Sequence, residues 1–73
     1  MSAMTPEVRQ LMAALRRQRE LKKLTQAQVA EIIHVDRTYI TRLETFRDTP
    51  SLDILIAWAR ALEYRVALLV DAW

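Results

Sequence analysis

The side chains able to do chemistry in this 73-residue chain are mostly charged: eleven Lys and Arg and nine Asp and Glu stand beside one histidine, with no cysteine and no glycine. Without cysteine there is no disulfide framework, thiolate zinc site or redox motif, and one histidine cannot build a ligand cluster. No metal and no cofactor are expected. Ser2 and Ser51 have no histidine near them in sequence, and no carboxylate pair is placed without an evident cap or salt-bridge role, so catalysis is not expected either. An average domain of this length would carry about 5 glycines, so phosphate-cradling loops, dinucleotide fingerprints and nucleophile elbows are excluded by composition. What remains is charge. Residues 1–23 hold six basic and two acidic side chains, 24–36 two acids, 37–47 three Arg and one Glu, and the remainder nets −2. Two basic zones alternating with two acidic ones suit a protein that offers one basic face to a polyanion and another surface to itself or a partner. Plain solvated helix faces account for the same pattern equally well.

The positioning elements follow from caps and periodicity. A hydrophobic fraction of 52% supports one folded domain. A chain this short buries only roughly 60% of its unfolded surface, which makes oligomerisation the natural remedy. The longest apolar stretches, residues 54–59 and 66–70, fall far below the ~20 residues that span a bilayer. Residues 1–4 lack the regions of a signal peptide, so a reducing, cytoplasmic setting is expected. Thr5-Pro6-Glu7 reads as a helix start, with Val8, Leu11, Met12 and Leu15 forming one apolar stripe; residues 1–5 are expected to be a flexible lead. Thr25 and Gln28 form a capping box opening a second helix, whose buried side is Val29, Ala30, Ile32 and Ile33. Asp36 is expected to cap a third with its side chain. Ser51 caps a fourth, with Leu52, Leu55, Ile56, Ala59 and Leu62 inward and Ile54 and Trp58 partly outside that stripe.

Only His34 and Val35 separate the second and third helices, so these two-turn helices must cross steeply, as in a helix-turn-helix. Counting from Gln26, a small residue is needed at the fifth position, where the helices approach closest, and Ala30 stands there. Branched residues, Ile40 and Leu43, hold the fifteenth and eighteenth. With Leu24-Thr25-Gln26, Val29-Ala30-Glu31, Ile40-Thr41-Arg42-Leu43-Glu44, Thr49-Pro50-Ser51-Leu52, Leu55 and Ala59-Arg60-Ala61-Leu62, the chain resembles the Cro/C1 (XRE) family of helix-turn-helix DNA-binding domains. The likeness runs from about Leu15 to Leu62. It implies a mainly α, four- to five-helix lambda-repressor-like domain over residues 6–63, the helix-turn-helix at 25–44 and the recognition helix at 37–45. One departure recurs: Lys23, His34, Phe46 and Glu63 stand where the family usually has glycine. His34 is read as a strained left-handed cap in preference to a pH switch or a ligand.

The resemblance implies that the third helix lies in the major groove of double-stranded DNA. Ile40 and Leu43 face inward, leaving Arg37, Thr38, Thr41 and Arg42 as the base-reading set with Tyr39 at its margin. Arg reads guanine bidentately through O6 and N7, so Arg37 and Arg42 are the leading specificity candidates, with a phosphate contact as the alternative for each. Gln26, at the start of the second helix, together with Arg47, Arg16, Lys22 and Lys23, is expected on phosphates. For the cluster at the end of the first helix, compensation of the helix dipole accounts for the same charges equally well. The resemblance also pairs Arg19 with Glu44 as a structural salt bridge.

Past Glu63, Tyr64, Val66, Leu68 and Val70 alternate with Arg65, Ala67, Leu69 and Asp71, a period of two. Residues 64–73 are therefore expected to form a dimerisation strand paired with a second copy, with Trp73 joining Tyr64, Val66, Leu68 and Val70 at the seam. This resembles the HipB-like antitoxin branch of the family. A helix continuing from Leu52 remains open, since Leu62, Val66, Leu69 and Trp73 also fit a helical stripe. The expected function is a homodimeric, sequence-specific repressor of prokaryotic or phage origin acting at a palindromic operator. The alternative is an antitoxin that also binds a toxin, hinted at only by Trp58 and the terminal Asp71-Ala72-Trp73.

Overall fold

The structure, a computed structural model, describes residues 4–67. It contains α1 (Pro6–Leu21), α2 (Gln26–Ile33), α3 (Arg37–Glu44) and α4 (Leu52–Ala61). Each start is written in the local sequence. The Thr5 hydroxyl accepts from the Val8 N–H at 3.2 Å, ahead of Pro6, whose missing donor costs nothing there. Thr25 and Gln28 close their box reciprocally at 3.0 and 2.8 Å, and Ser51 accepts from Ile54 at 3.2 Å. Asp36 departs from expectation. It occupies the N-cap of α3 but makes no side-chain cap bond; its own carbonyl takes the Tyr39 N–H at 3.0 Å, so the donor that its carboxylate would have capped is already satisfied.

The helix ends are the unusual feature. Lys23, His34, Phe46 and Glu63 all have φ between 58° and 65°, the left-handed region that glycine normally occupies. In each case the same two bonds close the helix. The left-handed residue donates to the carbonyl three back, and the next residue donates to the carbonyl five back: Leu24 to Arg19 at 3.1 Å, Val35 to Ala30 at 2.9 Å, Arg47 to Arg42 at 2.8 Å and Tyr64 to Ala59 at 2.8 Å. These are four Schellman motifs built without glycine. The backbone thus accepts the left-handed cost at every turn that the family serves with glycine.

Helix α2 packs against α3 and α4, and α1 against α3. The core is Met12, Leu15, Val29, Ala30, Ile40, Leu43, Trp58, Ala59 and Leu62. Trp58, expected at the margin of its stripe, is fully buried. Leu11, Ile32 and Leu52, expected inside, are 47%, 52% and 66% exposed. Helical periodicity defines a stripe wider than three short helices can cover, and the residues at its edge fall to solvent. Glu63 ends α4, and Tyr64 to Ala67 are neither helix nor strand. The continuing helix is excluded through residue 67. The expected strand does not form over these four residues, because a single chain offers no edge to pair with; Leu68, Val70 and Trp73 lie outside the described residues.

Candidate nucleic-acid interface

At the centre of the candidate surface is a buried carboxylate. Glu44, the last residue of α3, is 2% exposed and receives three donors. Arg19 binds it side-on, Nε to Oε2 at 2.7 Å and Nη2 to Oε1 at 2.9 Å, and Gln26 Nε2 donates to Oε1 at 3.0 Å. A third edge of the guanidinium, Nη1, donates to the Leu24 carbonyl at 2.8 Å. The hydrogen bond to Glu44 raises the Arg19 pKa above its ordinary value, against the opposing effect of burial. A bidentate pair of this kind fixes both side chains geometrically. It joins the end of α1 to the end of α3.

The same network reaches the exposed face. The Thr41 hydroxyl donates to Gln26 Oε1 at 2.7 Å, with the Arg37 carbonyl a second acceptor at 3.3 Å. Gln26 therefore has both ends of its amide engaged, and the half-buried Thr41 has its hydroxyl proton committed within the protein. Around them Arg37, Thr38 and Arg42 are exposed and Tyr39 is half-buried. Arg42 is not loose: its Nε donates to Asp48 Oδ2 at 2.7 Å and its guanidinium carbon lies 5.9 Å from the centre of the Tyr39 ring. Asp48 escaped the sequence reading. No helical spacing joins positions 42 and 48, since the helix ends between them and the left-handed Phe46 turns the chain back.

The expected phosphate contacts divide. Lys23, Thr25, Gln26 and Arg37 line one open hollow of about 650 Å³ at the start of α2, together with Glu20 and the Arg19 already paired to Glu44. Arg47 is exposed just after α3. Arg16 is half-exposed, with its Nε 3.7 Å from Glu20 and 3.9 Å from Glu44. Lys22 points elsewhere and is paired with Glu63 at the end of α4. That pairing holds the Glu63 carboxyl below its ordinary value of 4.5. On another part of the surface, Leu11, Leu55, Tyr64 and Val66 border an apolar hollow of about 380 Å³ between α1, α4 and the segment after it. Trp58, one of the two hints of a toxin partner, has no exposed surface to offer. Among the described residues no cluster of metal-ligating side chains occurs, and no helix is long and apolar enough to cross a membrane.

Two short helices packed together and joined by a three-residue turn, with Ala30 buried and the second helix presenting an exposed polar face, define a helix-turn-helix protein. Residues 15–69 match the helix-turn-helix family. The chain belongs to this XRE-type family of DNA-binding transcription regulators. Among solved structures it is similar to the clp gene regulator ClgR from C. glutamicum, at 35% identity and a TM-score of 0.75, covering 89% of this chain and 85% of that one. No curated protein sequence matches the chain significantly.

Proposed function

We propose that the chain is a homodimeric repressor that reads a palindromic operator with α3 in the major groove, its half-sites about one helical turn apart. The observation that carries the reading is the bond from Thr41 to Gln26. It ties the helix that bears Arg37, Thr38 and Arg42 to the helix start that would hold a phosphate, so base reading and backbone anchoring move as one rigid unit. Arg37 and Arg42 supply guanine recognition, and the Thr41 methyl remains available to a thymine methyl. Gln26, Lys23, Arg47 and Arg16 set register on the backbone and carry no sequence information. Lys22 is better placed to brace α1 against α4. Dimerisation runs through the apolar hollow at Leu11, Tyr64 and Val66 and the residues that follow it. ClgR, as a gene regulator, agrees with this class of activity.

The test is a mobility-shift titration against duplexes enriched by the protein from a randomised library. The expected result is a specific complex weakened roughly 10-fold or more by Arg37→Ala or Arg42→Ala, since one bidentate base contact is worth ~1 to 3 kcal/mol. A dimer making about 8 phosphate contacts should lose affinity with salt at a log–log slope near −7. A complex insensitive to both arginines overturns the base-reading assignment.

A further inference from the structure

On the reading face, Arg42 has a charged partner supplied from outside its own helix, Asp48. Asp48 is held beside it by the turn that ends α3. Left-handed Phe46 reverses the chain, Arg47 returns its N–H to the Arg42 carbonyl at 2.8 Å, and the Asp48 N–H faces that same carbonyl at 3.4 Å. The carboxylate arrives at Arg42 Nε, 2.7 Å away, while Tyr39, one turn earlier on α3, lies against the guanidinium at 5.9 Å. The side chain is thereby fixed from two directions, although half of its surface is exposed.

We propose that Asp48 is a positioning residue that sets what Arg42 reads. A guanidinium can meet the O6 and N7 of guanine either end-on, with its two terminal nitrogens, or side-on, with Nε and one of them. Asp48 occupies Nε. Only the end-on fork is left, and its long, rotamer-rich side chain is ordered before DNA arrives, so less freedom is lost on binding. The carboxylate also brings negative charge to a surface that faces phosphates, which weakens contact with any DNA regardless of sequence. The two effects act in the same sense: Asp48 raises discrimination while lowering non-specific affinity.

This inference rests on the proposed base-reading role of α3, and its test separates the two. Selection from a randomised duplex library is run with the wild-type chain, Arg42→Ala, Asp48→Ala and Asp48→Asn, each checked for an unchanged helical spectrum and thermal midpoint. Wild type is expected to enrich a motif containing a guanine that Arg42→Ala no longer selects. Asp48→Ala and Asp48→Asn should degrade preference at that same base pair by roughly 10-fold, bind a non-specific duplex at least as tightly as wild type, and add nothing further when combined with Arg42→Ala. An unchanged preference at the Arg42-dependent position overturns the positioning role, as does loss at a position that Arg42→Ala retains. A uniform gain in affinity for all duplexes with discrimination intact reduces Asp48 to a charge brake and also overturns it. If wild type itself enriches no motif, the base-reading proposal fails first, and it is distinguished by the absence of any Arg42-dependent position.

Discussion

Glu44 is the one buried charged residue among the described residues, and its worth lies in how completely it is satisfied. Arg19 covers both carboxylate oxygens and Gln26 adds a third donor. Removing one partner of such a pair strands the other charge away from water, a loss of about 3 to 5 kcal/mol. Total stability for 73 residues, at ~0.05 to 0.15 kcal/mol per residue, is of similar size. Glu44→Ala is accordingly expected to leave the chain largely unfolded at room temperature, seen as a collapse of the urea midpoint. The double change Arg19→Met with Glu44→Leu should restore much of that stability, because two apolar groups of similar volume leave no charge unpaired. The restored protein should still bind DNA more weakly, because Gln26 then loses its acceptor and with it the fixed amide that Thr41 bonds.

For the helical elements, the starts and the stops were read from different kinds of information. Thr5-Pro6, Thr25 with Gln28, and Ser51 announce the starts of α1, α2 and α4, because a cap is a bond between residues three apart and needs no tertiary partner. The stops carry no glycine, so Lys23, His34, Phe46 and Glu63 had to be located by the family pattern, and all four adopt the left-handed conformation. A left-handed non-glycine residue costs roughly 1 to 2 kcal/mol locally, less the extra chain entropy that glycine loses on folding. His34→Gly is the cleanest test, since the exposed His34 side chain makes no hydrogen bond or ion pair among the described residues. It should stabilise the protein by about 0.5 to 1 kcal/mol, raising the thermal midpoint by a few degrees for a domain this small. The gain should be smaller at Phe46, which stacks under Arg9 at 5.5 Å, and at Glu63, which pairs with Lys22. A drop in midpoint for His34→Gly would show that the turn does not rely on the left-handed cap.

The whole molecule leaves an apolar edge open. Leu11, Tyr64 and Val66 are all more than a third exposed around one hollow, on a domain whose core comprises nine buried residues among those described. In the proposed dimer this edge is covered by a second copy. Val66→Arg should then shift sedimentation-equilibrium mass from dimer toward monomer and lower affinity for a two-half-site duplex more than for a single half-site. A wild-type chain that sediments as a folded monomer at micromolar concentration overturns the dimer. Beyond Ala67 the residues that would join the seam are Leu68 and Val70, whose alternation with Leu69 and Asp71 is a sequence pattern only, and Trp73.

Local and periodic information therefore settled the element order, the buried Ala30, the inward Ile40 and Leu43 and the outward arginines, because each depends on spacings of a few residues along one helix. Tertiary structure alone decided the rest. Leu11, Ile32 and Leu52 fit their apolar stripes but are left largely exposed by the packing of the helices. Trp58 is fully buried because the core it joins is built from residues of all four helices. Lys22 is drawn to Glu63, 41 positions away, and away from the hollow at the start of α2. Arg42 meets Asp48 because a left-handed turn folds the chain back onto the end of its helix. In each case the outcome depends on what another segment brings alongside, a quantity that periodicity within one helix does not contain.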